Sequence, residues 1–320
     1  MRSLNYTRKL FIDLSGAGSQ VSIARFGMDA ELHPYWAMTS RRIVIECKSD
    51  PPTPMPELAS VLGPARTEMG RPKPDELLLL DTNEAKNLAA MIEQREEAVL
   101  PILRLTPLHL LKTHTGGESG QQPAIARAFS YLSATLHAAG LSFKIQQALR
   151  ELSQTGIAEH EMRRAGIPTN SLGQAVQVCI TLGDSGGTGI GLAIPTTLLV
   201  HHIAKQLGVP ITLNIWLLSS YRPAVGMEER LRKSLSYGIS KDLTLAQQDS
   251  VFILPLATGD VRIHAPLYSR VFCIEGTGEL HQQLAYLALR VATSQIFYYA
   301  SETGERLRAD ERNIIYRAFV

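Results

Sequence analysis

A glycine run near the middle of the chain is the segment best suited to chemistry. It follows a buried-strand pattern, residues 176–182, and four of the six residues in 186–191 are glycine. Glycine lets backbone N–H groups approach a phosphate closely, and a helix that begins at such a loop adds its positive dipole end. Thr188 adds a hydroxyl donor. The run therefore predicts a phosphate-binding loop, with a ligand-free tight turn as the alternative.

Two other glycine-containing segments follow strand-like stretches. Residues 15–20 come after 9–14, and residues 115–123 precede a helical pattern. Each is weak alone: Gly16 and Gly18 begin a GxGxxG fingerprint that fails at Val21, and no GxxxxGK[ST] motif occurs. Because all three segments fall where a strand should lead into a helix, together they favour one nucleotide site.

Strand and helix patterns alternate along the chain. This predicts an α/β fold with a Rossmann-like parallel sheet, helices on both faces and ligands beyond the carboxyl ends of the strands. Turns or irregular segments are expected at 15–20, 183–191 and 156–173, and a proline-rich loop at 49–71. The predicted strands are 9–14, 42–46, 75–81, 102–111 (extended), 176–182, 209–218 and 249–256. The predicted helices are 84–97, 124–139, 141–156, 192–207, 227–237 and 280–300.

Composition excludes several classes of protein. The 320 residues carry 32 Lys and Arg against 30 Asp and Glu, and no basic block of the nucleic-acid-binding type stands out. We expect no membrane span and no signal peptide, and hence a cytoplasmic protein. The three cysteines, Cys47, Cys179 and Cys273, form no CxxC motif and no metal-ligand cluster, so we expect incidental thiols.

The run SGGTGIG at 185–191 resembles the tubulin signature GGGTGxG. In the same order along the chain, AGSQ at 17–20 looks like the first nucleotide loop of tubulin, and DTN at 81–83 looks like the FtsZ loop NTD. Residues 116–127 are similar to the third FtsZ loop. The chain thus resembles the tubulin/FtsZ superfamily, and its divergent bacterial tubulin-like members most closely.

The resemblance implies GTP or GDP with Mg²⁺, self-association into filaments, and γ-phosphate near Thr188. It also implies a GTPase domain at 1–279 and a central helix with an acidic loop at 280–320, and we expect no counterpart of the family's C-terminal activation domain. The predicted cofactor-binding residues are Gly16, Ala17, Gly18, Ser19, Gln20, Asp81, Thr82, Asn83, Gly116, Gly117, Gly120, Ser185, Gly186, Gly187, Thr188, Gly189, Gly191 and Gln282.

The chain departs from the family pattern in its base and catalytic positions. Leu256 stands where FtsZ has the Asn that reads guanine, which leaves Gln282 and its neighbours as the candidates for reading the base. In the acidic loop, Asp310 and Glu311 are the candidate catalytic residues that would polarise water, and Asn313 replaces the second Asp. Hydrolysis therefore stays open.

Two other functions are alternatives. The first is a nucleotide-binding assembly or regulatory module that does not hydrolyse its ligand. The second is a dinucleotide-dependent oxidoreductase. Against the oxidoreductase stand the incomplete GxGxxG fingerprint and the lack of an acidic residue near Trp36, where that fingerprint would place one.

Overall fold

Seven strands form one parallel sheet in a computed structural model of the chain, in the order β3-β2-β1-β4-β5-β8-β9. The structure describes residues 7–32, 36–46, 52–80, 94, 140–154, 156–167, 169, 175–184, 187–221, 227–256, 259–277, 280–300 and 315–319. The strands are β1 (Lys9–Leu14), β2 (Ser40–Glu46), β3 (Leu77–Leu79), β4 (Val176–Gly183), β5 (Ile211–Tyr221), β6 (Val251–Leu256), β7 (Gly259–His264), β8 (Arg270–Thr277) and β9 (Ile315–Phe319). The helices are α1 (Ser15–Leu32), α2 (Trp36–Thr39), α3 (Pro56–Leu62), α4 (Pro64–Gly70), α5 (Leu141–Ser153), α6 (Gly156–Arg164), α7 (Gly187–Leu207), α8 (Met227–Leu245) and α9 (Leu280–Ala300).

The strand order reverses between β1 and β4. From β1 the chain moves outward through β2 and β3, then returns to place β4 on the other side of β1 and continues outward through β5, β8 and β9. This is the doubly wound, Rossmann-like arrangement, and the predicted fold class is confirmed. In such sheets the crevice for ligands opens beyond the carboxyl ends of the two strands at the reversal.

Both faces of the sheet are covered, as the continuous apolar strands require. Alternate residues of β1 show this. Leu10, Ile12 and Leu14 belong to a core shared with α5 and α7, whereas Phe11 belongs to a core shared with α1, α3 and α9. Because successive side chains of a strand point to opposite faces, α1 and α7 lie on opposite sides of the sheet.

The predicted strand at 249–256 exists but does not join the parallel sheet. β6 pairs antiparallel with β7 in a separate two-stranded sheet, with Val251 opposite His264 and Leu256 opposite Gly259. Only two residues separate β6 from β7, and a parallel pairing would need a crossover of a dozen or more residues. The inner face of this hairpin, which includes Leu254 and Phe252, packs on the core that α7 occupies.

Several predicted loops are helical. In the proline-rich segment, Pro56 and Pro64 stand in the first turns of α3 and α4, where a missing N–H costs nothing, so the predicted loop at 49–71 is wrong over these helices. The segment expected to be irregular at 156–173 contains α6, whose Ala158 and Met162 are buried four residues apart. Helix α8 continues through Gly238 to Leu245 instead of ending at 237.

The predicted helices at 84–97 and 124–139 and the extended segment at 102–111 lie outside the described residues. Helix α9 forms as expected over Leu280–Ala300, and it packs against α1, α3, β5 and β8. The division of the chain at residue 279 stays a prediction. Within the described residues, no helix is both long and apolar enough to cross a membrane.

A fully buried ion pair ties α1 to the sheet. The Arg25 guanidinium lies 2.6 Å from the Asp13 carboxylate, and both side chains have no exposed surface. Arg25 also donates to the Gln295 side-chain oxygen of α9, and Gln295 donates to the Thr181 hydroxyl of β4 at 3.0 Å. The guanidinium stands 3.7 Å from the centre of the Phe11 ring. These four polar side chains have no exposed surface, so each polar group relies on the others to replace the hydrogen bonds that it would make with water.

Replacing Arg25 with Met is expected to lower the free energy of unfolding by about 3–5 kcal/mol, because the Asp13 charge stays buried without its partner. Chemical denaturation measures the loss. The control is Arg163→Met, which removes an exposed pair with Glu159 on α6 and should cost less than about 1 kcal/mol. The double variant Asp13→Leu/Arg25→Met should be more stable than Arg25→Met. Equal losses at Arg25 and Arg163 would contradict the role of the buried pair.

Candidate functional site

The site is at the strand reversal, where β1 passes directly into α1. Leu14 ends the strand and Ser15 begins the helix, with no residue between them. Ser15 has a φ of 63°, a left-handed value that is uncommon for a residue other than glycine. This sharp change of direction places the first turn of α1 over the carboxyl end of the sheet. The first amides of a helix have no partner within it, so α1 presents N–H groups at this edge.

Glycine allows the first turn of α1 to lie against the sheet backbone. A methyl carbon at Gly18 would lie 2.8 Å from the Thr181 carbonyl oxygen and 2.9 Å from the Asp13 carbonyl carbon. Neither backbone atom can move aside without disturbing β1 or β4. Gly16, two residues earlier, is exposed and has open space where its side chain would be. The same turn therefore has one glycine required by packing and one that faces free space.

Helix α7 begins beside α1, at the end of the neighbouring strand β4. A methyl carbon at Gly189 would lie 2.9 Å from the Ser15 side-chain oxygen, and one at Gly183 would lie 2.9 Å from the Ala17 side chain. The starts of the two helices are thus in contact across the reversal. Two positive helix ends converge at one place, which is the arrangement that binds an anionic group most readily.

The predicted turn at 15–20 and the predicted start of α7 at 192 are corrected by the structure. Residues 15–20 are the first turns of α1, and α7 begins at Gly187. Glycine has a low helix propensity, and for this reason the sequence predicted loops at these positions. Burial outweighs that propensity here, because the glycines at 18 and 189 allow close contacts that a side chain would prevent.

Ser19 and Gln20, predicted as phosphate contacts, direct their side chains into the protein. The Ser19 hydroxyl donates to the Glu46 carboxylate at 2.7 Å. The Gln20 amide donates to the Thr53 carbonyl oxygen at 2.9 Å, and its oxygen accepts the Met55 N–H at 2.9 Å. These bonds connect α1 to the end of β2 and to the segment before α3. What the turn offers to solvent is the backbone at Gly16 and the half-buried Ala17.

Two carboxylates at this edge of the sheet were missed in the sequence. Glu46 is the last residue of β2 and Asp184 directly follows β4, and both are buried. The Asp184 carboxylate accepts hydrogen bonds from the hydroxyls of Ser219 at 2.6 Å and Ser236 at 3.1 Å, which join β5 and α8 to the end of β4. The available signal was the position of each residue in the sequence, since Glu46 ends the predicted strand 42–46 and Asp184 follows the predicted strand 176–182 by two residues.

Thr188 lies in the first turn of α7 and is 6% exposed. Within the described part of the chain, no hydrogen bond engages its hydroxyl. Gly187, Gly189 and Gly191 are buried in the same turns. Gln282 lies in the first turn of α9, and its side chain is outside the description. Several predicted site residues also lie outside the described residues: Asp81, Thr82, Asn83, Gly116, Gly117, Gly120, Ser185, Gly186, Asp310 and Glu311.

The titratable groups near the reversal do not form a nucleophile or a metal centre in the described ranges. Burial raises the pKa of the Cys179 thiol to about 12, so it stays protonated at neutral pH and is unreactive. No cluster of three His, Cys, Asp or Glu residues able to hold a metal occurs among the residues with described positions. At this edge of the sheet, the starts of α1 and α7 present backbone amides that have no partner within their own helices.

No protein-family model matches the chain, and a search of curated proteins returns no match. Among solved structures, the chain is similar to CetZ from Methanosaeta thermophila strain DSM 6194, with a TM-score of 0.40 and 10% sequence identity. The similarity covers 91% of this chain and 53% of that chain, so this chain spans about half the length of its structural neighbour. A similarity this low carries no conclusion about family or activity.

The two glycines of α1 should respond differently to alanine. Gly18→Ala is expected to lower the free energy of unfolding by roughly 1–3 kcal/mol, because its methyl group meets the backbone of β1 and β4. Gly16→Ala should be neutral or add up to about 1 kcal/mol, because its methyl group enters open space in a helical turn. Urea denaturation of the two variants measures the difference. Equal effects would show that α1 does not approach the sheet as closely as described.

Proposed function

We propose that this domain binds a guanine nucleotide at the strand reversal, with its phosphates over the first turns of α1 and α7. The observation that carries the proposal is the contact between these two helix starts, through Gly189 and Ser15, at the carboxyl ends of adjacent strands. Phosphate is the anion that such paired N-termini suit, because several N–H groups can point at it together. A bound nucleotide would lie across the crevice beyond the carboxyl ends of β1 and β4, where the strand order reverses.

The residues at the reversal fit the phosphate chain of such a ligand. Gly16 leaves the approach to α1 open. Thr188 is buried in the first turn of α7, and its hydroxyl is the proposed donor to a phosphate oxygen. Mg²⁺ would neutralise phosphate charge and be held mainly by phosphate oxygens and water, as is usual for this ion. The preference for guanine rests on the resemblance of residues 185–191 to the tubulin signature, and Gln282 is the proposed contact to the base.

Assembly and hydrolysis belong to the same proposal as its further steps. In the tubulin and FtsZ pattern, an acidic loop of one subunit completes the site of the next. Asp310 matches the first Asp of that loop with a shift of one residue, and Glu311 lies beside it in the sequence. Their carboxylates would polarise the attacking water, so turnover would require contact between two copies of the chain. The alternative function, a module that binds nucleotide without hydrolysing it, would use the same two helix starts and would differ only in lacking hydrolysis.

One observation favours a second candidate, a dinucleotide-dependent oxidoreductase. Glu46 lies at the carboxyl end of β2, where Rossmann enzymes place the acidic residue that binds the ribose hydroxyls. The fingerprint's usual spacing of about 20 residues would place this acidic residue near Trp36, whereas β2 ends ten residues later, at Glu46. However, Glu46 is 3% exposed and its carboxylate already accepts the Ser19 hydroxyl, so it serves the contact between α1 and β2.

Calorimetric titration with GTP, GDP, ATP and NAD in the presence of Mg²⁺ tests the binding proposal. We expect GTP and GDP to bind more tightly than ATP and NAD.

Thr188→Ala should weaken GTP binding by about tenfold or more, since a hydrogen bond to a charged group is worth about 1.5–3 kcal/mol. Thr188→Ser keeps the hydroxyl and should retain affinity. Thr244→Ala, at an exposed site on α8, is the control and should leave binding unchanged.

The possible outcomes separate the candidates. Tight NAD binding without GTP binding would replace the proposal with the oxidoreductase. Unchanged GTP affinity in Thr188→Ala would remove the start of α7 from the site.

Turnover by an intersubunit mechanism should depend on protein concentration. We expect GTP hydrolysis per subunit to rise as the concentration increases, because each site needs the acidic loop of another copy. Asp310→Ala should abolish phosphate release and leave GTP binding unchanged, and phosphate release with calorimetry on the same samples measures both. A rate per subunit that does not change with concentration would contradict the mechanism, while hydrolysis that is absent at every concentration would favour the binding module.

A further inference from the structure

A cavity of about 620 Å³ lies between α9 and strands β5 and β8. Its floor is aromatic: the Trp216 and Phe272 rings stack with centroids 4.0 Å apart, and Tyr298 meets Phe272 edge-on. Leu289 and Phe297 of α9 form part of its wall. A volume of this size, with a mostly apolar lining, is typical of small-molecule sites. None of its lining residues belongs to the first turns of α1 or α7, so it is separate from the proposed nucleotide site.

The floor of the cavity contains an unsatisfied hydrogen-bond donor. Trp216 is 3% exposed, and its indole N–H has no acceptor among the residues that the structure describes. A buried indole N–H without an acceptor is unfavourable, because it has lost its hydrogen bond to water. Since Trp216 lines the cavity, a ligand with an oxygen or nitrogen acceptor could supply the missing bond.

The wall on α9 supplies a positive charge. Arg290 lines the cavity and is exposed, and no carboxylate of a described residue forms an ion pair with it. Ser294, one turn further along the same helix, contributes a hydroxyl to the lining. A cation beside an apolar floor suits a molecule that has an apolar body and one anionic group.

We propose that this cavity binds an aromatic anion, whose ring system packs on Trp216 and Phe272 and whose carboxylate or sulfonate pairs with Arg290. An acceptor atom of the ligand would receive the Trp216 N–H. Phe297, which is 52% exposed at the wall, would lose water-exposed surface on binding. The cavity would thus be a second ligand site, and its ligand would be an aromatic anion instead of a nucleoside triphosphate.

Two fluorescent probes with the same aromatic skeleton test the proposal. The anion 1-anilinonaphthalene-8-sulfonate and the neutral N-phenyl-1-naphthylamine are titrated into the full chain carrying Trp36→Phe, so that Trp216 is the remaining tryptophan. Energy transfer from Trp216 reports binding near the cavity floor. We expect saturable binding of the sulfonate with one site per chain and weaker binding of the neutral probe.

Variants of α9 then separate charge from shape. Arg290→Gln should weaken sulfonate binding by about tenfold, while Arg290→Lys retains most of it and the neutral probe is unaffected by either change. Ser294→Leu fills the cavity and should reduce binding of both probes. Arg262→Gln, at an exposed site on β7, is the control and should change neither. Thermal unfolding of each variant checks that it is folded.

Equal weakening of both probes in Arg290→Gln, or none, would overturn the pairing of the anion with Arg290. Binding that does not saturate, or that persists unchanged in Ser294→Leu, would overturn the cavity as the site.

Discussion

The close contact of α1 with the backbone of β1 and β4 is the constraint on which the rest of the structure depends. It requires glycine at position 18, because any side chain would meet the Thr181 carbonyl oxygen or the Asp13 backbone. Because α1 packs this closely against the backbone of β1 and β4, its first amides lie at the same edge of the sheet as those of α7. The contact between Gly189 and Ser15 follows from this placement, and the proposed phosphate site follows from that contact.

The buried network around Arg25 holds α1 in the same position from the middle of the helix. Asp13 belongs to β1 and Gln295 to α9, and Gln295 in turn donates to Thr181 of β4, so the network links two strands and two helices. Such a network allows little choice of geometry, since a shift of α1 along the sheet would separate buried charges. Packing at the glycines and pairing at Arg25 therefore specify the same position of α1 by different physical means.

The sequence predicted the parts of the fold that local pattern determines. Mainly apolar runs indicated β1 and β4, and the glycine run after β4 indicated that a helix follows it, although the start of that helix was predicted at 192 instead of Gly187. Tertiary packing decided the rest. Gly187 and Gly189 were assigned to a loop because glycine has a low helix propensity. The close approach to Ser15 explains the glycine at 189, where a methyl carbon would lie 2.9 Å from the Ser15 side-chain oxygen. The pairing of β6 with β7 depended on partners that periodicity does not reveal.

The site residues divide in the same way. Glycines and Thr188 are visible in sequence because their types and spacing are unusual. Ser19 and Gln20 matched a nucleotide loop by type, yet their side chains bond to Glu46 and to the segment before α3. Which way a polar side chain points depends on the neighbours that the fold brings to it, and this information is absent from a local motif.

Helix α7 is buried over the whole stretch from 187 to 200, enclosed by the sheet, α5, α8 and the β6–β7 hairpin. A helix that is apolar all round has no free face along which to slide or rotate. A ligand bound at its first turn, as proposed, would thus meet a surface that this packing has already formed. A conformational change in response to such a ligand would then occur in elements that have a solvent-facing side. Helix α7 would keep its position while those elements move relative to it.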